Sequence, residues 1–285
     1  MIQLDRMPRK HHHPLVKFIF VVISLLAIIV LSLVYIDSKN VVYETFIFDE
    51  VGEHDLTIVQ LSDLHLPHLE VNLDQMLTKL KEEKPDLIML TGDLIDSRST
   101  YDEKIVTTFL SKVTTLSPVF FVSGNHEIRQ HENYSRLKET LEKYYVITFD
   151  DEMSHNLEIR GTNLTIIGLQ NEIPYHEAYL EKNPEASNNY RILLAHQPQQ
   201  FIDSPIKTFS SLPQLILSGH THGGQIRIFN QGLFSFDQGF FPKYDAGLYE
   251  VADGDAKMVI SRGLGNSLLP FRFNNKPHVP IIKII

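Results

Sequence analysis

The chain has 285 residues, 43% hydrophobic and 21% charged, with a formal net charge of −9 and no cysteine. That balance is an ordinary globular one and leaves room for one large domain. The missing cysteines exclude disulfides, thiolate metal sites and a cysteine nucleophile. The negative charge argues against broad nucleic-acid binding, which needs a cationic surface.

Residues 1–17 carry Arg6, Arg9, Lys10 and Lys17 against Asp5 alone. The run that follows, "FIFVVISLLAIIVLSLVYI" over 18–36, contains no charge. Its length is close to the ~20 residues that cross a bilayer core, so it predicts a transmembrane helix. The basic flank places residues 1–17 in the cytoplasm and everything after Ile36 outside. The expected localisation is therefore the cell membrane, single-pass, with an exofacial domain. No small-residue cleavage pattern follows the run, where "VYIDSKN" stands, which favours an uncleaved anchor over a signal peptide.

Residues 41–285 read as one α/β domain. Apolar runs at 56–63, 86–93 and 118–127 predict strands. Helical spacing at 73–84, 104–113 and 134–145 predicts covering helices between and after them. This βαβαβα order suggests parallel strands. The pattern then changes. Residues 156–168 look like a hairpin, 190–198 and 213–222 like two more buried strands, and 247–263 like a strand pair turning at Asp253-Gly254. Two packed sheets covered by helices account for the mixture.

Each of five strand-like runs ends in residues suited to metal binding or proton transfer. The first reaches Asp63-Leu64-His65, the second Gly92-Asp93, the third Gly124-Asn125-His126-Glu127, a later one His196, and the last His220-Thr221-His222. Ligand sites in α/β sheets lie beyond the carboxyl ends of strands. Any one ending has a dull explanation as a cap or turn residue; five together point to a shared site. Asp, Asn and His in this mix suit Mn, Fe or Zn, and their number exceeds what one cation needs.

The series "SDLH", "TGD", "GNHE", "AHQP", "GHTHGGQ" resembles the calcineurin-like metallophosphoesterase superfamily, from about residue 56 to 226. With the apolar N-terminal run and the ending "SRGLGNSLLPFRFNNKPHV" (261–279), the chain is similar to a membrane-associated branch. Some of that branch are similar to UDP-2,3-diacylglucosamine pyrophosphatases. The resemblance implies a four-layer α/β/β/α sandwich and a phosphoester hydrolase in which water bridged by two metals attacks phosphorus. It assigns Asp63, His65 and His222 to one metal and Asn125, His196 and His220 to the other, with Asp93 bridging. His126 matches the family's catalytic histidine and is expected to be a general acid. Gly92 and Gly124 are expected to allow tight backbone paths beside the metals. Pro67 departs from the family, which often has Gly there.

The substrate is less legible. Tethering beside a bilayer favours a lipid- or envelope-linked phosphoester. A glycolipid pyrophosphatase of the UDP-diacylglucosamine type and a non-catalytic metal-bound scaffold are the alternatives. The Phe-rich stretch 228–244 reads either as a packed loop or as an aromatic rim at the membrane interface. Arg227, Arg262 and Arg272 are candidates to pair with substrate phosphates. Oligomeric state is not legible.

Overall fold

The computed structural model describes residues 14–49, 55–149, 154–171, 189–203, 212–266 and 269–285; the basic flank ahead of Pro14 lies outside them. The first element is a helix, α1 (Pro14–Lys39), longer than the charge-free run that predicts it. None of its apolar stretch is buried against the described residues. At 1.5 Å per residue its 26 residues span about 39 Å, enough to cross a hydrocarbon core of ~30 Å.

Two mixed six-stranded sheets follow. The first contains β1 (Val42–Phe48), β2 (Leu56–Leu61), β3 (Leu87–Thr91), β4 (Val119–Val122), β5 (Ile147–Thr148) and β16 (His278–Ile284), in the order β1-β16-β2-β3-β4-β5. The second contains β6 (Ser154–Ile159), β7 (Thr162–Gly168), β8 (Tyr190–Leu194), β9 (Leu215–Ser218), β14 (Gly247–Val251) and β15 (Ala256–Ile260), in the order β14-β15-β9-β8-β7-β6. Between β9 and β14 lie two small hairpins, β10 (Arg227–Ile228) with β11 (Gln231–Gly232), and β12 (Phe234–Ser235) with β13 (Gly239–Phe240).

Alternation along the strands decides what each sheet face touches. Ile88, Leu90, Val119 and Phe121 pack with Met76 and Leu80 of α2 (Leu73–Glu83) and with Phe109 and Leu110 of α3 (Glu103–Val113). Leu137 and Leu141 of α5 (His131–Lys143) join the same cluster. Their sequence neighbours Leu87, Met89, Phe120 and Val122 face the other way and meet Ile166, Ile192, Leu194, Leu215 and Leu217 of the second sheet. On that sheet's far face Ile167, Leu193, Ile216 and Met258 cluster with Phe201 of α6 (Gln199–Ile202). Helices α2 and α3 start at side-chain caps. Asn72 accepts the Gln75 N–H at 3.0 Å, and Asp102 accepts the Ile105 N–H at 3.1 Å.

The chain-order expectations correspond to these elements with shortened strand ends. One residue group differs: 125–129 form a short helix, α4 (Asn125–Arg129), where the strand expected over 118–127 would end and a loop begin. Seven strands carry no expectation: the short β5 and β10–β13, and the two longer strands β1 and β16. The C-terminal β16 inserts between β1, to which it is parallel, and β2, to which it is antiparallel. Pro280 would disfavour a central strand because it lacks an N–H. Here the ladder to β2 runs over Ile281–Ile284 and stops short of it.

Strands β2, β3 and β4 are mutually parallel, and so are β7, β8 and β9. Within each sheet their carboxyl ends fall on one edge, which brings the five polar endings together.

Candidate metal centre

Asp63 and His65 follow β2, Asp93 follows β3, Asn125 and His126 open α4 after β4, His196 follows β8, and His220 and His222 follow β9. All are buried except His220, which is partly exposed. Asp63, His65, Asp93, His220 and His222 have φ between 49° and 70°, the left-handed region that non-glycine residues avoid. Each such residue costs about 1 kcal/mol, and this strain persists only where the surroundings over-determine it.

The ligand-capable atoms form two adjoining groups, Asp63, His65 and His222 in one and Asp93, His196 and His220 in the other. In the first, His222 Nε2 lies 3.2 Å from Asp63 Oδ1 and 3.1 Å from His65 Nε2. In the second, His196 Nε2 lies 3.3 Å from Asp93 Oδ2 and 3.3 Å from His220 Nδ1. Asp93 Oδ2 also lies 3.8 Å from His65 Nε2, so one oxygen faces both groups. His65, Asp93 and His126 form a third overlapping group, which puts His126 at the edge of the cluster.

The donor set fits two cations. Imidazole nitrogens that face each other at this range repel unless a proton or a cation lies between them. Buried Asn125 Oδ1 has no hydrogen-bond partner among the described residues, as a neutral carbonyl ligand would require. His196 donates from Nδ1 to the Thr91 carbonyl at 2.8 Å, which leaves Nε2 available to a cation. Burial pushes both carboxyls up, but the facing imidazoles prevail. His222 holds Asp63, and His196 holds Asp93, well below the usual carboxylate range. Burial lowers His65 to about 3, so its ring is neutral and able to ligate.

Close packing explains two glycines. A Cβ on Gly92, at φ +88°, would meet His196 Nδ1 at 2.4 Å, and one on Gly124 would meet Asp93 Oδ1 at 2.2 Å. The C-terminal motif packs on the same loops. Leu264 N–H donates to Ser62 O at 3.0 Å and Gly265 N–H to Asp63 O at 2.7 Å.

Sequence reasoning assigned no role to three residues here. Glu127 is fully buried and its carboxylate accepts the N–H groups of Gly124 (2.7 Å), Asp93 (2.9 Å) and Ile95 (3.0 Å), tying the β3 and β4 ends together. Burial raises its pKa to about 7. Asp96 Oδ1 lies 3.3 Å from His126 Nδ1. Asp237, in the Phe-rich stretch, lies 2.6 Å from His220 Nε2, opposite the nitrogen that faces His196. Only Glu127 belonged to a quoted motif. The other two become visible when loops far apart in sequence meet.

Two of the three candidate phosphate-binding arginines are occupied elsewhere. Arg227 is buried and pairs with Asp245 at 3.0 Å. Arg272 is fully buried and donates to the carbonyls of Arg262 (2.9 Å) and Gly265. Both brace the loops around the centre. Arg262 is half-buried. Pro67 lines an apolar groove with Leu66, Leu69 and Val71, beside His65 in sequence.

Residues 56–224 match the family model for calcineurin-like phosphoesterase. The chain is 31% identical over 242 residues to the uncharacterized metallophosphoesterase YkuE of Bacillus subtilis (strain 168), a match covering 82% of this chain and 80% of that protein. It is 29% identical over 216 residues to the phosphodiesterase YaeI of Escherichia coli (strain K12), covering 72% of each. Among solved structures it resembles the NAD nucleotidase NadN of Haemophilus influenzae, with a TM-score of 0.51 and 16% identity. That likeness covers 74% of this chain and about half (51%) of the other, and it concerns the fold alone.

Proposed function

The chain belongs to the calcineurin-like phosphoesterase family and is a metal-dependent phosphoester hydrolase; from this we propose a dinuclear centre with a fixed division of ligands. Asp63, His65 and His222 hold one cation, Asn125, His196 and His220 the other, and Asp93 bridges. The observation that carries this reading is the position of Asp93 Oδ2 between His65 Nε2 and His196 Nε2. Manganese, iron or zinc suits the oxygen and imidazole donors. When bound, the two cations polarise a phosphoryl oxygen and acidify a water. Asn125 contributes an oxygen without adding charge.

His126 supplies the leaving-group proton in this reading. In the neutral ring Nδ1 accepts the Ser97 N–H at 3.0 Å, which puts the proton on Nε2. In the imidazolium Nδ1–H has Asp96 Oδ1 as its acceptor, 3.3 Å away, and Nε2–H is left for the departing oxygen. Arg98 holds Asp96 in place through Nε at 2.9 Å and Nη2 at 2.6 Å.

The same reading gives the remaining chain its setting. Residues 18–36 within α1 anchor the protein in the cell membrane with residues 1–17 cytoplasmic. Residues 41–285 form an exofacial phosphoesterase domain, a four-layer α/β/β/α sandwich acting on a lipid- or envelope-linked phosphoester. A cytoplasm-facing domain would support the glycolipid-pyrophosphatase alternative, and the basic residues ahead of α1 favour the opposite side.

The test is elemental analysis of the purified full chain with assays on phosphomonoesters, phosphodiesters and nucleotide-sugar pyrophosphates. Two metals per chain are expected, and Asp93→Asn should deplete both, because the bridging carboxylate contributes charge to each cation. One metal per fully loaded chain overturns the reading.

A further inference from the structure

The two small hairpins between β9 and β14 expose aromatic side chains to a degree unusual for a folded surface. Phe229 is 97% exposed, Phe240 71%, Phe236 67% and Phe241 57%. Between Ile228 and Pro242 the only charged residue is Asp237, and it is turned toward His220. Exposed apolar patches of this kind mark interaction sites.

The hydrogen-bond network says where the patch stands. In the last turn of α1, Asp37 Oδ2 accepts the Asn274 N–H at 2.5 Å and Ser38 Oγ lies 3.3 Å from the Arg272 N–H, which donates to it. Phe273, between them, accepts the Arg227 N–H at 3.1 Å at the foot of the first hairpin. The hairpins therefore hang from a segment bonded directly to the end of α1. That end carries Tyr35 with Lys39 Nζ 4.8 Å over its ring, an aromatic and basic pairing of the sort that settles at a membrane–water boundary. At the far foot of the second hairpin Lys243 Nζ stands 4.8 Å over the ring of Tyr244 in the same way.

We propose that the Phe229–Phe241 hairpins dock on the surface of the bilayer that α1 crosses, with their aromatic side chains in the lipid interface. The proposal rests on the reading of α1 as a membrane span. A lipid surface fits better than a protein partner because α1 already requires an apolar medium at this end of the molecule. The patch continues that requirement without an outward charge to desolvate. An apolar groove of about 130 Å³ lined by His222, Ile226, Leu233, Phe236 and Leu269 joins the hairpins to the metal centre. Docking would thus open the centre toward the lipid.

The chain contains no tryptophan, so a single introduced indole reports its own surroundings. Full-length Phe229→Trp, Phe240→Trp, Phe20→Trp in α1 and Tyr145→Trp are placed in phospholipid nanodiscs with plain or brominated acyl chains. Tyr145 is 91% exposed and precedes β5, away from the strand ends that carry the site. The expected result is that the indoles at 20, 229 and 240 shift to the blue and lose emission in brominated discs, while that at 145 does neither. Quenching at 20 with none at 229 and 240 overturns the docking and leaves the anchor intact. A blue shift at 229 and 240 without bromine quenching means that protein, such as a second copy, covers the face, and it also overturns the docking. No quenching at 20 overturns the anchor and the docking with it.

Discussion

His220 faces His196 through Nδ1 while Asp237 lies 2.6 Å from its Nε2. A carboxylate on the far nitrogen fixes both tautomer and ring orientation of a ligating histidine, and losing such a partner typically weakens metal binding about 10–100-fold. Asp237→Ala should therefore lower affinity at the cation site proposed for Asn125, His196 and His220 and spare the other. Asp237→Asn, whose Oδ1 still accepts the N–H, should stay near wild type. Competition with a chelator measures both, and equal loss in the two variants would refute an orienting role. His126 has a different expected signature. A positioned acid contributes about 10²–10⁴-fold where the leaving group needs a proton. His126→Ala should keep both metals and lose far more activity on alkyl phosphodiesters than on nitrophenyl ones, whose leaving group departs unprotonated. Equal losses across the series, or loss of metal, would sink the proton-donor role.

At the scale of elements, β16 ties the chain's end to its beginning. His278 opens this strand, fully buried, with Nδ1 accepting the Arg262 N–H at 3.3 Å and Nε2 3.1 Å from Glu44 of β1. Burial lowers its pKa to about 4. The unfolded chain takes up this proton near pH 6.5 and the folded chain refuses it until about pH 4. Stability from this group is thus complete above pH 6.5 and is lost as pH falls through that window, on the order of 3 kcal/mol in all. Denaturant titrations of wild type and His278→Asn from pH 7 to 4 should show a shallower slope for the variant. Both share the same metal centre, so acid loss of metal cancels in the difference. Parallel slopes would mean that His278 is not the titrating group. Strand β16 itself escaped sequence reasoning. "HVPIIKII" is short and interrupted by proline, and its place between β1 and β2 depends on partners more than 190 residues earlier in the chain.

At the scale of the whole molecule, the expected arrangement is testable by protease added to intact cells or spheroplasts. Four basic residues precede the apolar run, so residues after Ile36 should be digested without lysis. Protection until lysis would place the domain in the cytoplasm and restore the glycolipid-pyrophosphatase alternative. Much else about the molecule was legible before its folding was known. Alternating apolar runs separated by helical spacing specify mixed α/β sheets, because strand and helix periods differ and each buries its own face. The polar strand endings could be read because parallel strands place their carboxyl ends on one edge whatever the loops do. By itself, then, the sequence determined the apolar helix, the order of the strands and helices that its periodicity marked, and a set of polar strand endings suited to metal. Tertiary structure alone decided that β16 completes the first sheet, that Arg227 and Arg272 turn inward as braces, and that Asp96, Glu127 and Asp237 meet His126, the β3–β4 ends and His220. The physical reason is range. Periodicity and turn chemistry act over a few residues, whereas a buried polar group selects its partner by where the packed chain brings it, and no local pattern records that.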